Sequence, residues 1–256
     1  MKVMLMSAVL LLCAGPTFAG TPESIQRGST IRRSTNSLTS DLNDESGEKQ
    51  WDEDVQRTFG TLRRLQREMV ILTHENEGLK ALLDGNPSRA LADYDSLLAL
   101  APGRTDALVY RAGAKSAAGD LKGALADYAQ ALTQATTALD GQTDANSQRK
   151  ARELIARIHG DRASTYMRIG VKGKEYAGNL DLALADCDEA LRVGHPRPSL
   201  MTWQKSQILF SADRYEEAAK VYQQALSLDP KLHELGGHAL FCRTFADQKI
   251  SISACN

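Results

Sequence analysis

Four short stretches of the chain share one pattern: ALADYDSLL at residues 90–98, ALADYAQAL at 124–132, ALADCDEAL at 183–191 and AAKVYQQAL at 218–226. The first two start 34 residues apart and the last two start 35 apart. A fixed period of this length is typical of supersecondary units that stack on one another, because one unit cannot bury its apolar face alone. The stretches therefore predict a protein built of repeats.

The match extends outward from these stretches to other fixed positions. In frames that start at Ile71, Thr105, Ala156 and Ser199, a small residue, a turn residue and a mostly aromatic residue recur at the same places. The small-residue position holds Gly78, Ala112, Ala163 and Ser206, the turn position Gly85, Gly119, Gly170 and Asp213, and the aromatic position Tyr94, Tyr128, Cys187 and Tyr222. Small residues let two helices approach closely, and the aromatic fills the gap between stacked units.

These residues resemble the tetratricopeptide repeat family, whose unit is a pair of antiparallel helices. The resemblance implies an all-α, right-handed α-solenoid of about four helix pairs that binds proteins and catalyses nothing. It places the repeats at residues 71–104, 105–138, 156–198 and 199–232, with the first repeat degenerate.

Two insertions depart from the family period. The second and third stretches start 59 residues apart, and we assign the excess to a linker at 139–155 and to the turn at 171–178. Good helix formers in the linker predict a first helix of the third repeat that is lengthened at its N-terminus. The turn insertion is expected either to project as a charged loop or to lengthen the helices further. One capping helix is predicted over residues 232–248, followed by a tail. The region after the fourth repeat, 233–256, is assigned to this helix and tail.

The N-terminus has the pattern of an export signal. One lysine, an apolar run and the small residues around Ala19 predict a signal peptide at 1–19. A lipidated Cys13 is disfavoured because Leu12 precedes it where a small residue is expected. Residues 20–50 are polar and have few large apolar side chains, so they are predicted to be a disordered tether.

Residues 51–84 carry apolar side chains at alternating steps of three and four. Such a heptad seam is typical of coiled coils, and Asn76 falls at a core-type position, where a polar residue fixes the register. This segment is predicted to merge into the first repeat. It either makes the protein a homo-oligomer or lies on the solenoid as one long amphipathic helix.

Composition and charge exclude some classes of partner. The chain has 31 basic and 32 acidic residues and no long basic block, so a nucleic-acid partner is not expected. No apolar stretch after the signal is long enough for stable membrane insertion. No cofactor is predicted, and most carboxylates are expected to be solvated on polar helix faces.

Three cysteines follow the signal: Cys187, Cys242 and Cys255. In an oxidising compartment, Cys242 and Cys255 could close the C-terminal tail as a disulfide. The alternative is that all three are thiols and Cys187 is a small buried hydrophobe.

No catalytic residue or metal site is predicted. The sequence lacks the serine-nucleophile and paired-cysteine motifs. An alternative is a metal-dependent hydrolase that uses His233, His238 and Cys242. His233 and His238 are five residues apart, however, so they do not share one helix face.

The resemblance implies a binding groove lined by the second, fifth, ninth, twelfth and thirteenth positions of each first helix. We expect the partner to contact the third and fourth repeats, at Arg157, Ser164, Met167, Arg168, Leu200, Trp203, Gln207 and Phe210. The two large aromatics are either binding anchors in this groove or core residues.

The order of signal, heptad helix and repeats is similar in layout to the periplasmic coiled-coil and tetratricopeptide proteins of the Tol-Pal envelope system. Together these features predict an exported, periplasmic or secreted scaffold that captures a protein or peptide segment in cell-envelope assembly or maintenance.

Overall fold

The structure is a computed structural model that describes residues 45–173, 176–234 and 237–255. Over these residues the chain forms nine α-helices and no strand. The helices are α1 (Glu45–Leu83), α2 (Pro87–Leu100), α3 (Thr105–Ala118), α4 (Leu121–Asp140), α5 (Ala145–Gly170), α6 (Gly178–Val193), α7 (Pro198–Ser211), α8 (Tyr215–Leu228) and α9 (His238–Asp247). The predicted all-α fold is confirmed.

The chain divides into two compact units, residues 1–64 and 65–256. The described part of the first unit is the N-terminal portion of α1. The second unit holds the rest of α1 and all later helices. None of the helices in the described ranges is long and apolar enough to cross a membrane.

The predicted helix pairs are α1 with α2, α3 with α4, α5 with α6, and α7 with α8. Polar side chains begin several of these helices: Asn86 accepts a hydrogen bond from the Arg89 amide, and Asp120 accepts one from the Gly123 amide. Left-handed residues form the turns of the first, second and fourth pairs, with φ of +69° at Gly85, +94° at Gly119 and +57° at Asp213. Glycine adopts this conformation without a steric penalty, which explains two of the three choices.

The core lies between the helices and is formed by the repeated positions. Tyr94, Tyr222 and Cys187 are completely buried, and Tyr128 is nearly so. The first-helix position that is always small packs closely against its partner helix. A Cβ atom added to Gly78 would lie 2.8 Å from Cζ of Tyr94, so only glycine fits without a shift.

The third pair contains both insertions. Helix α5 begins at Ala145, and most of the expected linker at 139–155 therefore belongs to a first helix that is lengthened at its N-terminus, as predicted. The other insertion lies between the end of α5 at Gly170 and the start of α6 at Gly178. Its described residues, 171–173 and 176–177, belong to neither helix.

The N-terminal boundary differs from the expectation. Helix α1 begins at Glu45, so the last residues assigned to the tether are helical instead. The predicted signal peptide and residues 20–44 of the tether lie outside the described residues.

The prediction of one C-terminal helix over 232–248 is wrong. A 3-10 turn at Pro230–Glu234 comes first, and α9 starts only at His238. Gly237 precedes α9 with a φ of +108°, and this left-handed conformation interrupts the helix. Phe241, Phe245 and the tail residue Ile252 are buried, so the segment after the turn covers the last helix pair.

Candidate functional site

The first helices of the last three pairs, α3, α5 and α7, are joined by hydrogen bonds between side chains. Arg168 of α5 donates to the carbonyl of Ser116 on α3, and its guanidinium is 2.8 Å from the Ser116 hydroxyl. The Gln204 amide of α7 donates to Ser164 Oγ of α5 at 2.8 Å. We call the accessible side of these three helices the A-helix face.

Four residues of α5 form a stripe on the A-helix face: Arg157, Asp161, Ser164 and Arg168. Their spacing of four, three and four residues puts them on one side of the helix. The two arginines are exposed, and the two residues between them are half-buried. At 1.5 Å of rise per residue, the arginines are about 16 Å apart along the helix.

The two arginines are held by side chains of α3. Arg157 lies over the ring of Tyr110, with the guanidinium carbon 5.9 Å from the ring centre, and this cation–π contact favours one orientation of the side chain. Tyr110 in turn stacks on Tyr94, with ring centres 5.6 Å apart. Arg168 is fixed by its hydrogen bonds to Ser116. The stripe therefore presents two exposed positive charges whose positions are set by the fold.

Asp161 is the acidic group of the stripe. Burial raises the pKa of its carboxyl to about 6. The positive charges of Arg157 and Arg197 lower this pKa, but burial has the larger effect. At neutral pH the carboxyl is mostly ionised. As the pH falls through 6 it takes up a proton, and the stripe becomes more positive.

The structure divides the predicted groove residues into two groups. The fifth and twelfth positions of each first helix face the next pair: Val109 and Gly160 are buried, and a Cβ on Gly160 would lie 2.4 Å from Cε of Met201. The second, sixth, ninth and thirteenth positions are the more accessible ones. Among the predicted groove residues, those that face the next element are Met167, Trp203 and Phe210. Those at the more accessible positions are Arg157, Ser164, Arg168, Leu200 and Gln207.

Of the two alternatives for Phe210, binding anchor or core residue, the structure favours the second. Its ring stacks on Phe241 of α9, with ring centres 4.4 Å apart and planes 12° apart. Trp203 lies one position from the accessible stripe of α7, and it packs half-buried against the core of the last two pairs. Met167 contacts the same core. The sequence left open whether the two aromatics are anchors or core residues, and it could not show which residues of α7 the predicted capping helix contacts.

Sequence reasoning also missed Asp161 and Gln204, which occupy the sixth position of their first helices. The family pattern gave no reason to single this position out. Helical spacing was the available signal, since the sixth position completes a stripe with the second, ninth and thirteenth.

Two aspartates of the repeated stretches are not solvated, contrary to the expectation for the carboxylates. Asp127 and Asp186 are each 4% exposed. Arg111 forms a bidentate pair with Asp127 at 2.8 Å for both contacts. Arg162 forms the equivalent pair with Asp186 at 2.7 and 2.6 Å. Each pair joins the first helix of a repeat to its second.

The environment of Asp186 keeps it ionised. Burial alone would raise the pKa of its carboxyl, but hydrogen bonds from Arg162 and from His159, at 2.7 Å, outweigh burial and lower the pKa. The signal in the sequence was a basic residue at the seventh position of the frame together with the aspartate of the ALAD stretch. We interpret these pairs as structural, because their charges are satisfied within the repeat.

The three cysteines take two states. Cys242 and Cys255 form a disulfide, with their Cα atoms 5.3 Å apart. Cys187 is a buried thiol at the aromatic position of the third repeat, and burial raises its pKa to about 12. It is therefore protonated and unreactive at neutral pH.

The alternative metal site is contradicted by this disulfide. The sulfur of Cys242 is bonded to Cys255 and is not free to bind a metal as a thiolate. His238 Nδ1 lies 2.5 Å from the hydroxyl of Tyr222. No three His, Cys, Asp or Glu residues within the described ranges are grouped so that they could hold a metal ion.

One comparison with known proteins matches part of the chain to a repeat family. Residues 172–233 match the family described as "Tetratricopeptide repeat". A search of curated proteins gives no match. Among fifteen matching chains of solved structures is the crystal structure of the MamA protein, which is 14% identical and superposes with a TM-score of 0.29. That match covers 65% of this chain and 96% of the MamA chain. The match to the tetratricopeptide repeat family covers residues 172–233, which hold the end of the third predicted repeat and the whole of the fourth.

Proposed function

We propose that this protein is an exported scaffold that captures an acidic segment of a partner protein on its A-helix face. The observation that carries the proposal is the stripe of α5, where Arg157 and Arg168 are exposed and oriented by α3. Binding proteins is the general role of tetratricopeptide repeats, and the charge of this stripe specifies the chemistry of the partner.

The geometry favours an extended or helical segment over a single anion. A strand rises about 3.3 Å per residue, so carboxylates about five residues apart would span the roughly 16 Å between the two arginines. Each guanidinium can form charge-assisted hydrogen bonds with a carboxylate. Because the helices are ordered before binding, the partner segment bears most of the entropy cost.

Export is proposed from two further features. Residues 1–19 have the pattern of a signal peptide, and the Cys242–Cys255 disulfide is of the kind that persists in oxidising compartments. The layout of signal, heptad helix and repeats supports our proposal of a periplasmic role in assembly or maintenance of the cell envelope. The likeness to the Tol-Pal proteins stays a prediction.

A photo-crosslinking residue in place of Ser164 tests capture in the producing cell. The same residue at exposed Leu240, on α9, is the matched control. We expect a protein adduct from position 164 that is absent at 240, since only the first position lies in the stripe. Equal crosslinking at both positions would contradict the proposal.

Charge reversal then tests the recognition chemistry. With a peptide from the crosslinked segment, R157E/R168E is expected to weaken binding at least tenfold by fluorescence anisotropy, because two attractive contacts become repulsive. The control is R149E, which reverses an exposed arginine elsewhere on α5. The proposal is wrong if both variants bind as the wild type does, with helical circular dichroism unchanged.

Export is tested separately, by determining the N-terminal residue of the protein. N-terminal sequencing of the protein purified from the producing cells is expected to begin at Gly20. A chain that retains residues 1–19 would remove the export proposal and leave the capture proposal standing.

A further inference from the structure

The C-terminal half of α1 has two apolar stripes, and the solenoid uses only one of them. The packed stripe consists of Ile71, His74, Gly78 and Ala81. Gly78 and Ala81 are buried, and Ile71 packs against buried core residues. His74 Nδ1 lies 3.1 Å from the Asp93 carboxylate of α2. This stripe attaches α1 to α2.

The heptad seam lies on the other side of the helix. We define the seam as Leu65, Met69, Leu72, Asn76, Leu79 and Leu83. Four of its five large apolar side chains are exposed, by 48% at Leu65, 68% at Met69, 54% at Leu72 and 88% at Leu83. The fifth, Leu79, is half-buried. Leu72 and Asn76 are each two residues from His74, which is a rotation of about 200° around the helix. The helix therefore packs on the solenoid, as one of the two alternatives predicted, but it does so through the stripe opposite the seam.

We infer that a second copy of this chain covers the seam, and that the two α1 helices form a parallel, in-register, two-stranded coiled coil. The steps of four and three along the seam are those of coiled-coil core positions. Exposed apolar side chains in one row favour association, since pairing removes their surface from water.

Asn76 identifies the occupant as a second copy. A polar residue at a core position requires a polar partner directly opposite, since an amide facing a leucine would lose its hydrogen bonds. Another copy in parallel register places Asn76 against Asn76, and each amide offers both a donor and an acceptor. An antiparallel pair could match these residues only by centring on them, which would place Leu65 opposite position 87, beyond the end of the partner helix at Leu83.

The flanking charges agree with this register. In a parallel pair, the residue before each of Met69, Asn76 and Leu83 faces the residue five places later on the other helix. Glu75 would thus face Lys80 of the second copy, and Glu68 would face Thr73. No like charges meet. The heptad pattern also continues in the sequence to Leu62, Thr58 and Val55, and Leu62 is exposed in its own unit.

The mass of the purified full-length chain in solution tests the inference, measured by light scattering after size exclusion over a concentration series. We expect twice the chain mass for the wild type and the chain mass for L72K, because a lysine ammonium cannot be buried in the seam without a partner. The matched control is V70K. Val70 is exposed on the same helix but outside the seam, so V70K is expected to remain dimeric.

A second variant tests whether the two α1 helices are parallel. In L65C, oxidation is expected to link the two chains, since position 65 meets position 65 only in parallel register. A dimer in which L65C forms no interchain disulfide would overturn the parallel register. A wild-type chain that stays monomeric throughout, or one with three times the chain mass, would overturn the two-stranded pairing. None of these results depends on the A-helix face, so failure here leaves the proposed function intact.

Discussion

The two ends of the solenoid differ in whether their apolar side chains are covered. At the C-terminal end, Phe241 and Phe245 of α9 lie against Phe210 and Tyr222, and a disulfide fixes the tail beyond them. At the N-terminal end, α1 packs on α2 with one stripe and leaves a row of leucines exposed.

This difference shows that the chain covers one end by itself and leaves the other open. End repeats in a solenoid have no neighbour on one side, so their outer face must be polar or must be covered. Aromatic packing within the chain covers the C-terminal end, whereas the apolar seam at the N-terminal end is available for association. Stability should therefore depend strongly on α9 and weakly on the seam.

The largest effect is expected at the C-terminal end. Phe245 is completely buried, and F245A should lower the free energy of unfolding by about 3–5 kcal/mol, as is usual when a buried phenylalanine is replaced by alanine. Urea unfolding monitored by circular dichroism measures this loss. The control is L240A on the same helix, where the side chain is 57% exposed and a change within about 0.5 kcal/mol is expected. Similar losses for the two variants would mean that α9 is not a core element.

The disulfide is expected to contribute next. It closes a loop with a sequence separation of 13, for which restriction of the unfolded chain is worth about 3 kcal/mol. Reduction should lower the Tm of the wild type. In C242S/C255S the Tm should already be low and should not respond to reductant. A wild-type Tm that is unaffected by complete reduction would show that the tail contributes nothing to the C-terminal end.

A smaller effect is expected where α1 meets α2. G78A places a methyl group against the buried ring of Tyr94, and overpacking of this kind costs about 1–3 kcal/mol. G60A is the control, because nothing lies within 4 Å of the added atom and alanine favours a helix by about 1 kcal/mol over glycine. Opposite signs for the two variants in urea unfolding are expected. A neutral G78A would indicate that the packed stripe of α1 is loose.

The smallest effect is a pH dependence in the middle of the solenoid, away from both ends. The pKa of Asp161 rises from its ordinary 3.8 to about 6 in the fold, so between these values the folded chain binds more protons than the unfolded one. Stability contributed by this residue therefore falls as the pH rises through this range. A shift of two units corresponds to at most about 3 kcal/mol, and partial exposure of the carboxyl reduces this to about 1 kcal/mol.

D161N should remove that fall, so that it gains stability relative to the wild type between pH 4 and pH 7. Exposed Asp140 provides the control, since D140N should follow the wild-type profile. The free energy of unfolding is measured with urea at several pH values. If it depends on pH in the same way for the wild type and D161N, Asp161 is not buried enough for its pKa to be raised.

The sequence by itself determined the helix pairs and their period. Gly85, Gly119 and the alanines of the repeated stretches act within a single pair, where helix contacts depend on residues close in the chain. The lengthened α5 was predictable for the same reason, because helix formation is decided locally. The period of the heptad seam was visible in the sequence, but the sequence did not decide between self-association and packing of this helix on the solenoid.

Only the tertiary structure decided which side of each helix stays accessible. Trp203 and Phe210 lie on the side of α7 that faces the next element, and whether that element covers them depends on where α9 folds back after Gly237. The pairing of Asp186 with Arg162, and the position of the seam opposite the packed stripe of α1, depend likewise on how whole helices rotate against their neighbours. A sequence period fixes the order of residues around a helix, but the rotation of that helix is set by the packing of all its neighbours at once.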